Sequence, residues 1–104
     1  MKREGFLAHM GYHVGESGPP ALERQRILDQ CYSHRVPEHV ENAASWGVPN
    51  SFQRLQKMLN ALGGLAENFR RNDAERFANA IADYEEDRNY LLAKYMPPGK
   101  SFPW

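Results

Sequence analysis

The sequence predicts a small all-α domain: one helix packed on an αα-hairpin, with an irregular N-terminal arm and a short C-terminal tail. Three observations predict it. Apolar side chains in residues 46–95 recur at alternating spacings of three and four, which puts them on one side of a helix. They do so in two sets whose register slips by one residue near Asn72, where an Asn72…Glu75 capping box also stands. Proline marks the edges of the periodic stretches, at Pro20, Pro37 and Pro97.

The arm, residues 1–18, holds glycines, His9, His13 and the large side chains Phe6, Met10 and Tyr12 without a helical period, and an extended piece is expected through Tyr12 and Val14. A helix over residues 20–34 follows, opened by Pro20, whose missing N–H has no intrahelical partner in the first turn. Leu22, Ile27, Leu28, Cys31 and Tyr32 give it an apolar side, and Glu23 near its start with His34 and Arg35 near its end match the helix dipole. Residues 37–49 read as a connector with a short helical turn through Glu38, Val40 and Ala44, closed by Gly47, with Trp46 at the joint.

An Asn50…Gln53 capping box predicts a helix over residues 51–71 with Phe52, Leu55, Leu59, Leu62, Ala66 and Phe69 as its stripe and Met58 and Leu65 on the flank. Gly63 falls at the edge of that stripe, where another backbone could approach closely, and Gly64 on the back; each costs roughly 1 kcal/mol against alanine. The Asn72…Glu75 box then starts a helix over residues 73–95, with Ala74, Phe77, Ile81, Tyr84, Leu91 and Tyr95 in line and Arg88 interrupting. The joint of the hairpin is expected at residues 70–73, and residues 97–104 form the tail. One unbroken helix over residues 51–95 is the alternative, and it would favour a homodimer, whose second copy would cover the stripe.

An apolar fraction of 41%, a charged fraction of 25% and 13 basic against 13 acidic residues fit one soluble domain, with neither a membrane span nor an overall field for nucleic acid. The N-terminus lacks an apolar run long enough for a secretory signal, and the single cysteine, Cys31, agrees with a reducing compartment, so a cytoplasmic location is expected. No cofactor is implied.

Several residue sets bear on function. Asp83, Glu86 and Asp87 share a face of the last helix, opposite its apolar stripe, with Tyr90 between them; as an outer face they suit a basic partner. Phe102 and Trp104 in the tail either fold back on the core or insert into a partner. Arg54, Lys57, Arg70 and Arg71 are the candidates for nucleic acid, with Arg71 also placed to pair with Glu67. His9, His13, Cys31 and His34 form an H-x3-H…C-x2-H set that suits zinc if the arm folds onto the helix, and Cys31 beside a histidine is a candidate nucleophile.

Gly11-Tyr-His-Val-Gly15 with Gly18, the Glu-Arg-Gln-Arg-Ile-Leu helix, Trp46-Gly-Val-Pro, Arg54-Leu, and Asp83-Tyr-Glu-Glu-Asp87 before Tyr90-Leu together resemble an uncharacterised bacterial family of small helical domains. The resemblance covers most of residues 11–95 and brings no established activity and no catalytic residues. Where the family's last helix carries a tryptophan and a leucine, this chain has Tyr84 and Arg88.

The functional expectation is a non-catalytic protein-interaction domain that occupies a surface on a larger assembly. A phage or mobile-element inhibitor of a bacterial defence complex, with acidic residues imitating phosphate, is one concrete form of it. A nucleic-acid-binding accessory domain using the hairpin arginines is the alternative, and a metal- or thiol-dependent enzyme the third.

Overall fold

A computed structural model describes residues 5–15, 18–40, 42–97 and 99. Helix α1 (Phe6–His9) is followed by α2 (Ala21–Ser33), a 3-10 turn (Ala43–Trp46), α3 (Phe52–Asp73) and α4 (Ala78–Tyr95), with no strand among the described residues. The all-α architecture and the αα-hairpin expected from the sequence are present: α3 and α4 are antiparallel, with Phe69 against Phe77 and Tyr84, and Arg70 paired to Glu85. No helix among the described residues is long and apolar enough to cross a membrane.

The arm differs from expectation, because it opens with a single helical turn. Phe6 and Leu7 are buried in it, and the turn ends in a glycine cap: Gly11, at φ +95°, donates to Ala8 O at 3.0 Å while Tyr12 N donates to Leu7 O at 2.9 Å. Four residues are too few to show a period, so only the glycine and the two large apolar side chains before it hint at this turn.

Helix α2 begins just after Pro20, and Arg24, Leu28 and Cys31, spaced four and three apart, form its buried row. Leu22, expected on the apolar side, is 84% exposed, because a position two residues from Arg24 lies across the helix. The connector reaches Trp46 through Asn42 in the left-handed region, and Gly47 leaves at φ +69°. Trp46 is buried edge-on against Phe6, with ring centroids 5.2 Å apart.

Helix α3 is capped by Ser51, whose Oγ accepts from Arg54 N at 3.0 Å. The Asn50…Gln53 box does not form, since Asn50 is itself left-handed at φ +62° and its N–H donates to Tyr32 O. Leu55, Met58, Leu59, Leu62 and Ala66 are buried along α3, and Tyr84 and Leu91 meet them from α4.

The joint of the hairpin falls at residues 74–77, later than the expected 70–73. Asp73 Oδ1 accepts from Arg76 N at 3.1 Å and holds that turn, whereas the Asn72 amide donates back to Asn68 O and caps nothing. In α4 the apolar row passes through Asp87 between Tyr84 and Leu91, so one of the two fully buried residues on that face, with Leu91, is an acid.

Candidate functional site

Three sets of side chains carry the chemistry of this chain, and two of them turn inward. Arg24 on α2 lies 4% exposed against α4, where Nε donates to Asp87 Oδ2 at 2.7 Å and Nη2 to Glu86 Oε1 at 2.9 Å, with Asp83 Oδ1 at 3.6 Å. The arm closes the same cluster: Tyr12 Oη donates to Asp87 Oδ2 at 2.8 Å and Gly15 N to Asp83 Oδ2 at 3.0 Å. Burial, then the Asp87 carboxylate, drives the Tyr12 hydroxyl far above the usual phenol range, so it stays a donor. Burial disfavours the Arg24 charge, but the Asp87 carboxylate outweighs it and holds the guanidinium above its ordinary value.

The expectation of an outward acidic face on Asp83, Glu86 and Asp87 is therefore corrected. Asp87 is 0% exposed and Asp83 26%, and only Glu86, at 57%, keeps most of its side chain in water. A helical wheel of α4 alone cannot show this, because the cation that draws the acids inward stands on another helix. Tyr90 is also turned toward α2, donating to Asp29 Oδ2 at 2.8 Å beside Lys94 at 3.0 Å, while Tyr95 donates to Asp29 Oδ1 at 2.6 Å. Phe102 and Trp104 lie outside the described residues.

Arg54 is the second inward set, and its place among the surface arginines is corrected likewise. It is 0% exposed. Its Nε donates to Trp46 O at 2.8 Å, Nη1 to Cys31 O and His34 O at 2.7 Å each, and Nη2 to Gly47 O at 2.9 Å. The α2 carbonyls are those a helix end leaves unpaired, and the negative end of the dipole suits the cation. Desolvation still holds the guanidinium below its ordinary value. Lys57 stands 5.6 Å from the Trp46 ring, and Arg70 joins Glu67 and Glu85, so Glu67 is taken by Arg70 and not by Arg71, which is exposed.

The histidine and cysteine set is not assembled. His9 packs its ring on His39 with centroids 4.9 Å apart, the His13 ring lies 3.1 Å from Gly11 O, and the His34 ring 2.8 Å from Gln30 O. Among the described residues no group of three His, Cys, Asp or Glu is placed to hold a metal ion. Cys31 is 0% exposed and burial pushes its thiol up to about 12, which removes the thiolate a nucleophile needs.

The third set faces outward, and sequence reasoning missed it as a site. Four rings run in a row from the arm to the turn of the hairpin: Tyr12 to Tyr84 at 6.2 Å, Tyr84 to Phe69 at 5.9 Å, and Phe69 to Phe77 at 4.6 Å. Arg76 ends the row with its guanidinium 5.2 Å from the Phe77 ring. These residues, with Leu7, Val14 and Leu65, line an open groove of about 880 Å³. Leu65 is 40% exposed there, Phe69 and Phe77 are half-buried, and Tyr12 and Tyr84 form the covered floor.

The position of the groove follows from the packing. Through Arg24 and Asp29, α2 covers α4 from Asp83 to Tyr95, so that among the described residues the arm covers the other end of the hairpin. The stripes of α3 and α4 continue past the end of α2, so among the described residues Phe69 and Phe77 meet each other beyond its cover. Leu65 on the flank of the α3 stripe is the signal in the sequence, since a leucine outside the inward row needs another cover.

Comparison with protein families, curated proteins and solved structures gives no match to this chain.

Proposed function

We propose that the protein is a non-catalytic protein-interaction domain that docks on a larger assembly through the aromatic groove at the turn of the hairpin. The observation that supports this reading is the lining itself: exposed Leu65 and half-buried Phe69 and Phe77 form a contiguous apolar surface beside an arginine. Such surfaces on small domains accompany protein recognition, and aromatic and arginine side chains supply its strongest contacts. The rings are rigid and already packed on one another, so binding loses little side-chain entropy.

This reading replaces the acidic face as the partner surface. Phosphate imitation by Asp83, Glu86 and Asp87 needs carboxylates in water, and Arg24 occupies them. The motifs that carry the family resemblance fall on the inward sets, with Tyr12, Gly15, Asp83 and Asp87 in one and Trp46, Gly47 and Arg54 in the other. We read that shared pattern as a shared architecture.

The test compares what the wild-type chain and Leu65→Asp retain from an extract of the native host. Leu65 is accessible, so the variant keeps its fold, checked by its helical circular dichroism and melting temperature. Proteins retained by the wild type and lost with the variant support the groove; the same set retained by both removes it.

A further inference from the structure

We infer that the segment this groove takes is an apolar peptide carrying carboxylates, an acidic leucine- or phenylalanine-bearing stretch of the partner; this rests on the docking reading above. The lining is charge-asymmetric. Arg76 is the charged side chain in it, and no carboxylate lines the groove among the described residues. Elsewhere on the surface Arg26 sits with Glu23, and Arg70 with Glu67 and Glu85. Arg76 has instead an aromatic ring under its guanidinium at 5.2 Å, an arrangement that keeps the planar cation at the rim with its N–H groups open to an incoming carboxylate.

The backbone adds to the same sign. The first turn of α4 is entered at Phe77 without a side-chain cap, and Asn79 and Ala80 from that turn line the groove, so the positive end of the α4 dipole lies along its wall. A partner with lysine or arginine next to its apolar anchors would meet like charge here. One with aspartate or glutamate would meet a guanidinium and a helix start.

The experiment selects random dodecapeptides displayed on phage against the immobilised full chain, then measures the enriched sequences as synthetic peptides by fluorescence anisotropy. The expected sequences combine Leu, Ile, Phe or Trp with Asp or Glu. Their affinity falls about tenfold or more with Arg76→Glu, recovers when the peptide's acids are changed to Lys, and weakens as salt is raised. Leu65→Asp is expected to lose more affinity than Leu65→Lys, although both remove the same apolar contact. Enriched peptides that need Leu65 but are basic or indifferent to Arg76→Glu would overturn the acidic class and leave the docking reading standing. If no enriched peptide depends on Leu65, both fall.

Discussion

The Tyr12 hydroxyl donates to Asp87 Oδ2 at 2.8 Å across 75 positions of sequence, at a carboxylate that is 0% exposed and already holds Arg24. That bond joins three elements at one acid: the arm, α2 and α4. The arm contributes little helix of its own, so its placement over the hairpin rests on this hydroxyl, on the Gly15 N–H to Asp83, and on the burial of Phe6 and Leu7. The arm also forms one wall of the groove, which links the clamp to the proposed docking surface.

Asp87→Ala leaves a guanidinium and a phenol buried without their acceptor, so it is expected to cost about 3–5 kcal/mol. Tyr12→Phe removes one donor to a charged acceptor that Arg24 still satisfies, for about 1–2 kcal/mol. Urea unfolding followed by circular dichroism gives both values. In a double-mutant cycle the two changes should be far from additive, and additive costs would mean that the hydroxyl does not work through Asp87.

Arg54→Lys is the second test, because both side chains are cations and only the geometry differs. A guanidinium spans the four carbonyls of Trp46, Cys31, His34 and Gly47, and a single ammonium on a flexible stem cannot. The expected loss is about 2–4 kcal/mol from carbonyls left buried and unpaired. A nucleic-acid role for Arg54 predicts the reverse pattern, an intact fold with weakened polyanion binding.

These two arginines also mark what was legible in the sequence. The hairpin, the α2 span and much of the core followed from apolar periodicity, because a stripe is a property of one helix and is written locally. Arg24 and Arg54 interrupt apolar rows, and a wheel reads such positions as solvent-facing. Their partners lie 63 residues away for Asp87 and 23 away for Cys31, a separation that no local pattern encodes. The caps were misplaced for a different reason. Asn50 and Ser51, then Asn72 and Asp73, are adjacent capping residues, and the backbone conformation that decides between them is set by the connecting turn. Beyond the flanking Leu65 the groove was not legible, because exposure at the hairpin's end depends on where α2 stops covering it.

The Asp29 cluster gives the chain a defined pH dependence. Burial raises the Asp29 pKa, but the hydrogen bonds from Tyr95, Tyr90 and Lys94 outweigh it and hold the carboxyl below its ordinary 3.8. A depressed folded pKa contributes stability that is complete above the unfolded value and is lost as pH falls through the folded one. Lys94 is raised by its hydrogen bonds to Tyr90 and Asp29, so its contribution is complete below the ordinary 10.5 and is lost as pH rises above it. Asp29→Asn should therefore lower stability at neutral pH by about 1 kcal/mol, the scale of a hydrogen bond to a charged group near the surface. Melting curves of wild type and variant should converge on the acid side, and a constant gap down to the lowest pH would assign the loss to packing instead.

Two glycines, Gly63 and Gly64, lie inside α3. A Cβ built at Gly63 lies 3.7 Å from Arg88 Nε, ordinary contact with a side chain, and one built at Gly64 meets nothing within 4 Å. Neither glycine admits another backbone, so the close approach expected at Gly63 does not occur; the glycine leaves room for the half-buried Arg88 of α4. Both positions have ordinary helical backbone, and alanine there restricts the unfolded chain while adding no clash. Gly64→Ala and Gly63→Ala should thus each stabilise the protein by up to about 1 kcal/mol. Chemical unfolding of the two variants checks both. If Gly64→Ala destabilises the fold, the flexibility of α3 at this point is a requirement of the native state.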